Sequence, residues 1–184
     1  MNRKTGATIA IGILLTLTCV AAVLGQGPSG PTKPGPEHQK LAYFAGKWAS
    51  EGETKPSAFG PGGKFTFTQT CEWFAGSGFA VVCHSEGKML GGTVKGLSIT
   101  GYDLGEKTYT YFETNTMGEN IWSRGIVEGD TWTWTNESKM GGKPVRGRFT
   151  LKQVSADSAT YKFEMGTGDE PLKLIMEGKQ TRVK

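Results

Sequence analysis

From Gly46 onward, apolar side chains recur at alternate positions, and each such run ends at a cluster of Gly, Asp, Asn or Ser after roughly ten residues. A period of two sends successive side chains to opposite faces of a strand, so the pattern predicts strands with one dry and one wet face, joined by turns. Residues 37–45 break that period. There Leu41, Phe44 and Ala45 share one helical face, Pro36 suits a first-turn position and Gly46 fits the C-terminal cap. This short N-terminal helix is expected to plug or cover part of the strands that follow.

Hairpin registers carry the reading further. Pairing Val127 with Thr131 sets Ile126 opposite Trp132 and Arg124 opposite Trp134. Pairing Asn115 with Asn120 sets Glu113 opposite Trp122, Tyr111 opposite Arg124 and Tyr109 opposite Ile126. Later in the chain Trp134 meets Phe149, Trp132 meets Leu151, Leu151 meets Tyr161 and Phe163 meets Leu174. In the front half Phe65, Phe67, Cys71 and Trp73 pair with Phe79, Val81 and Cys83, and Leu97 and Ile99 with Tyr109 and Tyr111. Threonines and charges such as Thr110, Thr133, Thr135, Arg148, Lys162 and Glu177 fall on the other face. The result is an all-β, antiparallel up-and-down meander of about ten strands. Left open it would expose two long edges, so closure into a barrel is expected. Eight strands enclose a space that side chains just fill; ten leave a cavity.

Composition adds the compartment. Arg3 and Lys4 precede an uncharged run over residues 7–24 and then Gly25, the layout of a signal peptide removed before Gln26. The protein is therefore expected to be exported, periplasmic or secreted, with a membrane contact only if residues 1–25 stay attached as an anchor. Residues 26–36 form a Pro/Gly-rich linker, and the folded domain runs from 37 to 184. The whole chain carries 21 basic and 17 acidic residues, a formal charge of +4. That excess is too small to predict a nucleic-acid partner.

Candidate chemistry is sparse. Cys71 falls directly across from Cys83, which in an exported chain favours a disulfide over two small buried thiols. His38 and His84 are the only histidines, and no cluster has metal-ligand or haem-attachment spacing, so no metal or cofactor is expected. Gly76-Ser77-Gly78 is a turn and not a nucleophile elbow. What remains is the dry face, where the registers put Glu113 and Arg124 diagonally across one strand pair, with Tyr111, Trp122, Trp132, Trp134 and Gln69 around them. Charges are almost never fully buried unless paired. This pair either fixes register or anchors the polar head of a ligand whose body lies along the tryptophans.

The helix leading into Gly46-Lys47-Trp48 resembles the opening of the calycin barrels: lipocalins, fatty-acid-binding proteins and nitrobindins. Pro36-Glu37-His38, Leu41, Gly46-x-Trp48, Gly101-Tyr102-Asp103, Met117-Gly118 and Phe163-Glu164-Met165 occur in an order similar to the bacterial family of domain of unknown function 1579, over residues 36–184. That resemblance implies a calycin-like barrel and no catalytic residues. Nitrobindin-like barrels hold haem through a late histidine; no histidine follows His84, so haem is not implied here. The expected function is an exported barrel that binds a small apolar or amphipathic molecule without transforming it. The rivals are a cofactor-free isomerase or hydrolase using Glu113 and Arg124, and a structural module with no ligand.

Overall fold

Strands form where alternation predicts them. The computed structural model describes residues 33–184 apart from residue 59, so the expected signal peptide and most of the linker lie outside the described residues. The helical segment is α1 (Pro36–Lys40) followed by a 3-10 turn (Leu41–Tyr43). Ten strands follow: β1 (Gly46–Thr54), β2 (Gly63–Trp73), β3 (Ala80–Met89), β4 (Gly92–Asp103), β5 (Thr108–Asn115), β6 (Asn120–Glu128), β7 (Thr131–Met140), β8 (Lys143–Ser155), β9 (Ser158–Thr167) and β10 (Lys173–Arg182). Every neighbour is antiparallel, and β1 pairs β10, closing the barrel and removing the free edges.

The helical segment seals one end. Leu41 and His38 are fully buried, and the Phe44 ring packs edge-on against Trp132 at 4.8 Å between centroids. Arg182, the last residue of β10, stacks over Trp48 and donates through Nη1 to the Ala45 carbonyl (2.6 Å) and through Nη2 to the Tyr43 carbonyl (3.0 Å). Those carbonyls close the helical segment, so one guanidinium ties the plug to the barrel and satisfies acceptors that would otherwise be orphaned.

Inside, glycines face aromatic rings. Gly52 pairs with Phe65, Gly87 with Phe67, Gly125 with Trp134 and Gly178 with Tyr161. A methyl group at Gly125 would sit 2.6 Å from Trp134 Cδ1, and one at Gly178 would sit 2.6 Å from the Tyr161 hydroxyl. Each ring thus lies down over the bare backbone opposite it, which packs the wall with little projection toward the barrel axis.

Four expected registers need correction. Glu128, not Val127, pairs with Thr131, across a two-residue turn with Gly129 at φ +60°. Thr114, not Asn115, pairs with Asn120, because the Asn115 Oδ1 accepts from the Met117 and Glu119 backbone N–H groups and is spent in the turn. The two shifts act in the same sense on β6. Ile121, Ser123, Gly125 and Val127 face inward, and Trp122, Arg124 and Ile126 face out. On β4 the inward set is Ser98, Thr100 and Tyr102, opposite Glu113, Tyr111 and Tyr109, so Leu97 and Ile99 are on the outer face. A bulge between Leu174 and Met176 pairs Phe163 with Met176 instead of Leu174. The expected pairs Trp134–Phe149, Trp132–Leu151, Leu151–Tyr161 and Cys71–Cys83 all form.

Candidate functional site

The corrected registers separate the expected site into an inner and an outer part. Tyr111, Glu113, Trp132, Trp134 and Gln69 are on the inner wall; Trp122 and Arg124 are on the outer wall, 70% exposed as a residue and 62% as a side chain respectively. The expected Glu113–Arg124 pair does not form, and the Arg124 guanidinium instead bonds the Glu106 carboxylate.

On the inner wall the Tyr111 hydroxyl donates to Glu113 Oε2. Ser98 stands beside the phenol and Asn115 beside the carboxyl, both contributing hydrogen bonds. Removal from water pushes the Glu113 carboxyl above its ordinary pKa, against the opposing pull of the Tyr111 and Asn115 hydrogen bonds. Burial, then the neighbouring carboxylate, pushes the Tyr111 phenol well above its own. Among the described inward positions between the two rims, Glu113 is the one charged side chain; Arg182 is committed to the plug, and Lys143 and the exposed Lys173 lie at the far rim. Across the strands Glu113 faces Ser98 on β4 and Ile121 on β6, and uncharged polar residues Ser85, Thr100, Asn115 and Ser123 stand around them.

Beyond this patch the tryptophans form a stack. Trp132 and Trp134 have parallel rings 5.4 Å apart, and Trp134 lies 6.2 Å from Tyr111. The Trp134 Nε1 is buried and has no hydrogen-bond partner. An unmet indole donor in an apolar wall is costly; it lies over Gly125, where an added Cβ would come 2.8 Å from it. Sequence reasoning found Glu113, Tyr111 and Trp134 but missed Ser98 and Thr100. Their signal was present in the Thr-Gly-Tyr-Asp end of β4, where Tyr102 fixes the inward parity of the strand.

The barrel wall is also split beside this patch. The β6–β7 ladder ends at Arg124 and Thr135, although β6 continues back to Asn120 and β7 on to Met140. A cleft of about 760 Å3 lies over the outer side of this seam, lined by Trp122, Arg124, Glu137, Arg146, Arg148 and Leu172 among others. Cys71 and Cys83 are disulfide-linked on the wall of β2 and β3. Among the described residues no His/Cys/Asp/Glu group has the arrangement of a metal site, and no helix is long and apolar enough to cross a membrane.

A family model described as "Protein of unknown function (DUF1579)" matches residues 33–182. A search of the curated proteins finds no match. Among solved structures, the chain is similar to Rv2717c from M. tuberculosis, with TM-score 0.59 and 12% identity over 83% of this chain and 100% of that one. It is also similar to the S-type phycobiliprotein lyase CPES from Guillardia theta, with TM-score 0.54 and 10% identity over 80% of this chain and 93% of that one. At such identities the likeness carries the calycin-like barrel fold and nothing of either protein's chemistry.

Proposed function

The chain belongs to the DUF1579 family of proteins of unknown function, and from that premise we propose that it is an exported carrier barrel whose interior holds a small amphipathic molecule. The observation that carries this reading is the lone acid of the inner wall: Glu113, bonded to Tyr111, whose ring neighbours that of Trp134 with its unmet indole N–H. Ten strands enclose more volume than eight, and four aromatic rings lie over glycines of the neighbouring strands. With the helical plug at one end, entry is from the opposite rim. The cystine supports an oxidising compartment and, with the charged and apolar leader, export.

The polar group of the ligand is defined by what faces it. A wall with one carboxyl and no base repels an anion and accepts a neutral acceptor or a cation. Arg124 therefore drops out as the anchor, and with it an acid–base pair for catalysis. Titration with dodecylammonium, dodecanol and dodecanoate, followed by tryptophan fluorescence, tests the reading. Dodecanoate is expected to bind at least about tenfold more weakly than the other two, and Glu113→Gln to level the series. Failure of all three to perturb the fluorescence at millimolar concentration would remove the ligand function.

A further inference from the structure

The outer cleft at the β6–β7 seam has a chemistry opposite to that of the interior. Its lining includes three guanidinium groups, from Arg124, Arg146 and Arg148, against one carboxylate, Glu137. Two of the three are held by carboxylates from outside the lining: Arg124 by Glu106, and Arg148 through Nε by Glu164 Oε2 at 2.9 Å. The Arg124–Glu106 pair is more than half exposed on both sides, so water already competes for it and exchange of its carboxylate for another oxyanion costs little.

Arg146 is different. Among the described residues no carboxylate lies within ion-pair distance of it, not even that of Glu137, its direct cross-strand neighbour on the same face. Its Nη2 donates to the Glu170 carbonyl at 2.8 Å, while its Nε is buried with no acceptor at all. A guanidinium has five N–H donors, and leaving a charged one buried and unmet is expensive. The wall here also forms no ladder pair beyond Arg124 and Thr135, which leaves main-chain groups of the facing strands free to donate.

Trp122 supplies the second half of a site. One face of its ring rests on Phe112, 4.4 Å between centroids, and the rest is open to solvent beside Arg124. An aromatic platform next to a row of arginines is the composition that concentrates binding energy at recognition surfaces.

We propose that this cleft binds an oxyanion, carboxylate or phosphate, borne on a flat apolar body that lies on Trp122, with Arg146 as the principal anchor. The site is separate from the interior and does not depend on it. The test uses the full-length 15N-labelled protein and three probes of the same ring system: 2-naphthyl phosphate, 2-naphthoate and the neutral 2-naphthylmethanol. Chemical shifts of the Arg Nε–H and Trp Nε1–H groups report the binding. Either anion is expected to move the Arg146 and Trp122 signals, at least about tenfold more tightly than the alcohol, and more weakly as salt is raised. Binding of the phosphate alone identifies a phosphorylated ligand, and binding of both a general oxyanion site. Trp122→Ala, at an exposed position that leaves the fold intact, and Arg146→Gln are each expected to weaken the anion at least about tenfold. The proposal is overturned if the alcohol binds as well as the anions, if Trp122→Ala leaves affinity unchanged, or if millimolar anion moves neither signal.

Discussion

The plugged end and the seam side of the barrel are built from the same residue types, yet they meet opposite standards of packing. At the plug, Phe44, Trp132, Tyr109 and Tyr102 form a chain of ring contacts at 4.8 to 4.9 Å between centroids. Its polar atoms are matched: the Tyr109 hydroxyl donates to Glu37 Oε2 at 2.6 Å, and the Trp48 Nε1 donates to the Phe44 carbonyl at 2.9 Å. At the seam the ladder stops, and nearby are Trp134 Nε1 on β7 and Arg146 Nε on β8, the two buried side-chain polar atoms without partners among the described residues. Fully satisfied polar groups rigidify a region, whereas unmet ones mark where a partner is to be supplied. Stability is expected to concentrate at the plug, and the proposed oxyanion site lies at the seam.

Substitutions on the two sides sharpen this contrast. Trp132→Ala removes a ring that is 1% exposed at the centre of the plug contacts and is expected to cost about 3 to 5 kcal/mol in chemical denaturation. A similar substitution at Trp122, across the wall, is expected to cost no more than about 0.5 kcal/mol; near-equal losses would erase the distinction. Gly125→Ala comes next, at about 1 to 3 kcal/mol, because the new methyl group must displace the Trp134 ring that lies over it.

Glu113→Gln has a smaller effect that depends on pH. Because the folded-state pKa of Glu113 is raised, the native protein holds this proton more tightly than the unfolded chain does. That contribution is complete below the unfolded carboxyl pKa of about 4.3 and is lost as pH rises through the folded value. Relative to Glu113→Gln, the parent protein is therefore expected to melt at progressively lower temperature as pH is raised from 4 to 8. A constant gap in melting temperature would show that the carboxyl is no more protonated when folded than when unfolded.

Period-two alternation, turn composition and strand count led from the sequence to an all-β barrel of ten strands with an N-terminal plug, and cross-strand placement led to the Cys71–Cys83 cystine. These follow from short-range constraints: side chains alternate, edges must be covered, and residues opposite each other in a hairpin touch. The orientation of β6 was not legible in the same way. Trp122 and Ile126 are large and Ser123 and Gly125 small, so size alone turns the strand the wrong way round. The turns before and after it shift by one residue each, and both shifts reverse the facing of β6 while keeping β5 and β7 in phase, so their agreement adds no independent check. Only the closed barrel decides the matter. The Trp134 ring fills the space opposite β6, and a residue without a side chain is the one that fits beneath it, so Gly125 faces in and Arg124 is carried to the surface.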